Sequence, residues 1–120
     1  MQYRKKNDRN HTAIKQYLEA HGVEVIETLK PLDLLCYYKG YICFLEVKMA
    51  ESGSRYTKVQ LGFIAQTKFP VAFVYSESEA FDTMKRQLCL SNAQKQRLTA
   101  MMLKTDKPLY TPKDIKTALQ

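Results

Sequence analysis

Leu32-Asp33-Leu34-Leu35-Cys36-Tyr37-Tyr38-Lys39-Gly40-Tyr41-Ile42-Cys43-Phe44-Leu45-Glu46-Val47-Lys48 is the stretch whose reading decides the fold. Two apolar runs flank Lys39-Gly40, the composition of a short hairpin turn. If Tyr38 faces Tyr41 across that turn, the register places Asp33 directly opposite Glu46. Directly opposed side chains hold their Cβ atoms about 4.5–5.5 Å apart. Two carboxylates that close repel strongly unless something positive sits between them. A divalent cation meets that need, since Mg²⁺ is typically held by one or two carboxylates plus substrate phosphates. Alternation puts Lys48 on the same face as Glu46, one step along. Two acids and a lysine on one strip of sheet suit phosphodiester hydrolysis.

The strands Leu32–Tyr38 and Tyr41–Lys48 are apolar on both faces. Leu34, Cys36, Tyr38, Cys43, Leu45 and Val47 share one face; Leu35, Tyr37, Ile42 and Phe44 share the other with the two acids. Strands of this kind are buried on both sides, so helices are expected over both faces of the sheet. Working outward, a first helix is expected over Asp8–His21, capped by Asn7 or Asp8 and stopped at Gly22. Ile14, Tyr17, Leu18 and His21 form its inward stripe, with His11 in line, and Val23–Glu27 reads as an edge-like strand. Downstream come a loop at Met49–Tyr56, a helix at Thr57–Lys68 with Val59, Phe63 and Ile64 inward, and a strand at Val71–Tyr75. The helix between strands makes that last strand parallel to Tyr41–Lys48. Ser76 with Glu79, and Ser91 with Gln94, read as capping boxes for two more helices, ending near Leu88 and Leu103. Thr111-Pro112 opens a final short helix. The expected fold class is α/β: a single domain of residues 1–120 with a mixed central sheet and helices on both faces.

The chain of 120 residues is long enough for one domain with a substantial core. Its net charge of +7 favours a polyanionic partner. Arg4, Lys5, Lys6 and Arg9, with Arg55 and Lys58, are candidate phosphate contacts. Cys36, Cys43 and Cys89 match no zinc spacing, and two of them fall in expected buried strands. A reducing cytoplasm is therefore expected. The basic, polar N-terminus lacks the apolar stretch of a secretory signal, and no apolar run approaches membrane-spanning length, so no membrane partner is expected.

Asn7-Asp8-Arg9-Asn10 leading into a helix, Leu32-Asp33-Leu34-Leu35, Leu45-Glu46-Val47-Lys48 and Gln60 on the next helix together resemble the PD-(D/E)XK nuclease superfamily, in its VRR-NUC branch. Small members of that branch, often phage-encoded, are similar to Holliday-junction resolvases. The likeness spans about residues 4–80; the helical tail from about residue 91 lies beyond it. It implies a restriction-endonuclease-like core and a Mg²⁺- or Mn²⁺-dependent endodeoxyribonuclease in a bacterial or phage-infected cell. The metal would be held by Asp33, Glu46 and the Val47 carbonyl, and hydrolysis would leave a 3′-hydroxyl and a 5′-phosphate. Lys48 would orient or deprotonate the attacking water, or stabilise the charge of the transition state. Gln60 would steady water, metal or Lys48. Leu32 stands where the family usually has proline, and His11 where a glutamate often joins the metal. His11 itself reads as a ligand, a phosphate contact or a core histidine. No base-reading module is visible, so branched DNA is the expected substrate, and its twofold shape makes a homodimer the expected assembly. Met101-Met102-Leu103 is the expected subunit contact. The rival expectation is a DNA-binding or protein-interaction module on the same fold, without catalysis.

Overall fold

A computed structural model of the chain describes residues 5–28, 32–47 and 55–120, with the backbone alone for 5–10. Along the chain run α1 (Lys5–Ala20), β1 (Glu24–Glu27), β2 (Leu34–Tyr38), β3 (Tyr41–Val47), β4 (Tyr56–Thr57), α2 (Lys58–Gln66), β5 (Val71–Val74), α3 (Glu77–Arg86), α4 (Asn92–Lys104), β6 (Leu109–Tyr110) and α5 (Pro112–Leu119). They gather into two compact units, Met1–Ala50 with Phe69–Cys89, and Glu51–Lys68 with Leu90–Gln120.

The first unit is α/β with a mixed sheet in the order β1-β2-β3-β5, antiparallel except for β5, which runs parallel to β3. Lys39 and Gly40 both take positive φ, 49° and 88°, the requirement of the tight turn whose twist matches the strands it joins. Tyr38 then pairs with Tyr41 and the ladder runs back to Leu34 opposite Leu45, in the expected register. Helix α1 starts at Lys5, ahead of the expected cap, so Asn7 and Asp8 lie inside it. Lys5, Lys6 and Arg9 are good helix formers, and no proline or glycine stops the helix earlier. It closes where expected: the N–H groups of Gly22 and Val23 donate to the carbonyls of Glu19 and Leu18, with Gly22 at φ 89°.

Ile14 and Leu18 of α1 and Ala80 and Met84 of α3 enter one core with Val25, Leu34, Cys36, Cys43, Leu45, Val47, Ala72 and Val74. Ile14 and Leu18 are fully buried, each contributing about 1.5–3 kcal/mol. His21, expected inward, is exposed instead; its Nδ1 lies 2.8 Å from the Tyr17 carbonyl and its ring stacks on Tyr17 at the helix end. The opposite face departs from expectation at Tyr37 of β2 and Ile42 of β3, 46% and 42% exposed, and Ile26 of β1 on the same face is 52% exposed. Both helices of this unit feed the first face, while the opposite face is buried at Val71 and Glu46 and open at Tyr37 and Ile42. At the head of α3, Ser76 Oγ accepts the Glu79 N–H as expected, but Glu79 Oε1 accepts from Tyr75 N–H, one residue before the cap.

In the second unit α2, α4 and α5 accompany a small antiparallel pair, β4 with β6, that the sequence reading did not include. Tyr56 and Tyr110 face each other in it, both buried. Thr57 is the cap of α2, its Oγ1 accepting the Gln60 N–H. The buried stripe of that helix is Leu61 and Ile64, and Val59, expected inward, is 83% exposed. Ser91 with Gln94, and Thr111 with Asp114, form complete reciprocal caps, the latter with Pro112 in the first turn. Among the described residues no helix is long and apolar enough to cross a membrane.

Candidate active site

Asp33 stands one residue before β2, where the ladder with β3 ends. Its backbone carbonyl accepts the Thr28 N–H at 3.0 Å, prolonging the β1–β2 pairing by one step. Continued pairing with β3 would hand the Val47 N–H to the carbonyl of Leu32, the next hydrogen-bonded position. That carbonyl instead accepts the Thr28 hydroxyl. The Asp33 carboxylate takes its place, Oδ2 accepting the Val47 N–H at 2.8 Å. The acid is thus fixed by main chain on both sides, from β1 through its backbone and from β3 through its side chain. A carboxylate has about four lone-pair sites, so one N–H leaves capacity for a cation.

Glu46 lies one position beyond the last ladder pair, on the face of Phe44 and Ile42, and by alternation on that of Asp33. It is 4% exposed, and among the described residues only it and Thr83 are buried polar side chains. Burying a carboxylate is expensive unless charge or hydrogen bonds compensate it, which sets Glu46 apart from an incidental strand acid. In a strand, the N–H and C=O of one residue point to the same neighbour, so the Val47 carbonyl is directed to the side from which Asp33 approaches.

His11 meets Asp33 from α1. Its Nε2 is 3.4 Å from Asp33 Oδ2, and the two side chains are only 12% and 16% exposed. Lys48 and Arg4 lie outside the described residues, and Lys5, Lys6 and Arg9 are described in backbone only. Gln60 sits in the first turn of α2, in the second unit, half-buried. Arg55 and Lys58 belong to that unit too, both exposed, with Lys58 Nζ 3.9 Å from Asp106.

Among the described residues no three His, Cys, Asp or Glu side chains come together as a ligand set. Asp33, Glu46 and the Val47 carbonyl present hard oxygen donors. Oxygen donors of this kind are the type that Mg²⁺ and Mn²⁺ take, alongside bound waters. The Asp33–Val47 bond is not foreseeable from the sequence, because it forms where the regular ladder stops and a side chain replaces a main-chain carbonyl.

Comparison with protein-family models, with curated proteins and with solved structures finds no match to the chain.

Proposed function

We propose that the chain is a Mg²⁺- or Mn²⁺-dependent endonuclease that hydrolyses DNA phosphodiester bonds, built on a restriction-endonuclease-like core. One observation carries the reading: a carboxylate buried to 4% exposure, Glu46, shares a sheet face with Asp33, which is itself held at the ladder's end by the Val47 N–H. A divalent cation held by these residues supplies Lewis-acid activation of water and neutralises phosphate charge. Asp33 and Glu46 position it, the Val47 carbonyl adds a third oxygen, and His11 steadies Asp33. Lys48 follows Glu46 by two residues and serves the attacking water or the developing charge. Branched DNA as substrate, a homodimer as the acting species and the cytoplasm as its location complete the proposal.

The test is a supercoiled plasmid incubated with Mg²⁺, Mn²⁺ or EDTA. Nicking with either metal and none with EDTA is expected, and Asp33→Asn and Glu46→Gln fall to the EDTA background. Full nicking by either purified variant sinks the metal-site reading. DNA binding without cleavage under any metal leaves the non-catalytic module as the answer. Light scattering reads the mass, and junction, flap and linear substrates compared side by side read the preference.

A further inference from the structure

A cavity of about 600 Å³ opens within the second unit, between α4, β6 and α5. Its size falls in the range of small-molecule sites. Arg97, Lys104, Lys107 and Lys113 line it, against a single carboxylate, Asp114. That carboxylate is already committed: Lys107 Nζ donates to both its oxygens at 3.1 and 3.2 Å, and the Thr111 N–H donates to Oδ2 at 2.9 Å. Asp114 therefore offsets Lys107, and Arg97, Lys104 and Lys113 remain as surplus positive charge. Among the described residues no ion pair engages Lys104 or Lys113. Between the cations the lining turns apolar, with Ala100, Met101 and Ala118, while Thr105 and Thr117 add hydroxyls. Three uncompensated cations around an apolar floor select a ligand with an anionic end and a flat or apolar body.

We propose that this cavity binds a nucleotide, its phosphate met by Lys104, Lys113 and Arg97 and its base laid on the Met101 and Ala118 floor. The shared chemistry is a phosphorylated nucleoside, whether free or as one unit of a single strand. The site is separate from the acid pair and does not rest on the nuclease reading. It also assigns the half-buried Met101 a place in a ligand floor, in contrast to the subunit interface expected from sequence.

The experiment titrates the full chain, in EDTA so that no cleavage intervenes, with three probes: a fluorescent oligothymidylate, adenosine monophosphate and inorganic phosphate. Wild type should bind a nucleotide-bearing probe well ahead of inorganic phosphate. Lys104→Ala with Lys113→Ala should weaken that binding at least tenfold. For the oligonucleotide it should also lower the log–log salt slope by about 1.4, at about 0.7 for each single-strand phosphate that a lysine no longer neutralises. Both lysines are exposed, so the variant should keep the wild-type circular dichroism. As an independent measurement, mass spectrometry of lysine acetylation on wild type should show Lys104 and Lys113 protected by the bound probe. Binding by the oligonucleotide alone assigns the ligand to a strand, and binding by the mononucleotide alone assigns it to a free nucleotide. Equal binding of inorganic phosphate, unchanged affinity in the double variant, or full acetylation of both lysines in the complex each overturns the proposal. Nucleotide binding that depends on these lysines, in a chain that nicks no plasmid, leaves this inference standing while the nuclease reading falls.

Discussion

Replacing Asp33 by alanine and by asparagine separates its structural task from its proposed chemical one. The carboxylate accepts the Val47 N–H at 2.8 Å, and Val47 is only 7% exposed, so water has little access to replace the bond. A hydrogen bond to a charged acceptor contributes about 1.5–3 kcal/mol, and leaving a buried N–H unmet costs about 1–3 kcal/mol. Asp33→Ala should therefore destabilise the end of β3 by about 2 kcal/mol. Asparagine keeps a carbonyl oxygen of the same reach and should cost less than about 1 kcal/mol. Amide hydrogen exchange followed by NMR reads this at Val47 itself. At 1.4 kcal/mol per factor of ten, the alanine variant should exchange about 30-fold faster than wild type, and the asparagine variant less than about fivefold faster. Plasmid nicking should rank differently, with both variants equally inactive because both lack the charge. A Val47 amide as protected in Asp33→Ala as in wild type refutes the anchoring bond. Nicking that followed the exchange rates, with the asparagine variant nearly active, would instead make Asp33 a scaffold residue.

Three further outcomes follow from the same geometry. Thr111→Ala should destabilise the second unit by about 1 kcal/mol in urea denaturation, because it removes half of a reciprocal cap, whereas Thr111→Ser should be close to neutral. The Asp114 carboxyl is held below its ordinary value of 3.8, first by the Thr111 N–H and then by Lys107. A lowered native pKa means the stabilisation is full above 3.8, shrinks as pH falls through that value and vanishes once the native carboxyl protonates. Asp114→Asn should flatten that part of an acid-unfolding curve, and an unchanged curve contradicts the assignment. Burial, with Cys43 alongside, pushes the Cys36 thiol up to about 12, while Cys89 is exposed. Iodoacetamide at pH 8 should therefore label Cys89 rapidly and Cys36 only on unfolding, as read by peptide mass spectrometry.

What the sequence made legible was whatever depended on near neighbours. The hairpin register came from one turn, because Lys39 and Gly40 leave the strands a single twist-compatible pairing, and the Leu34–Leu45 pair follows from it. The complete caps at Ser91 and Thr111 are equally local, each closed within four residues. The parallel return of β5 followed from connectivity alone. Legibility failed where a group or strand had more than one partner open to it. Glu79 reaches past its cap to Tyr75, and β4 finds β6 across half the chain with two residues on each side, too few to show alternation. Tyr37 and Ile42 read as core because β-branched and aromatic residues favour strands whether or not anything covers them. The candidate site divides along the same line. Asp33 and Glu46 were brought to one face by register arithmetic, yet the bond that fixes Asp33 joins its side chain to the Val47 N–H where the ladder stops, which no spacing rule contains. Arg97, Lys104, Lys107 and Lys113 are scattered along the tail and look like ordinary surface charge. They become one cavity wall only when α5 folds back beside α4, with the Thr111 cap and the Lys107–Asp114 pair setting where α5 begins. A capping residue thus governs the placement of the charges, so Thr111→Ala should weaken nucleotide binding as well as stability. That coupling is absent if the lysines act merely as a diffuse basic surface.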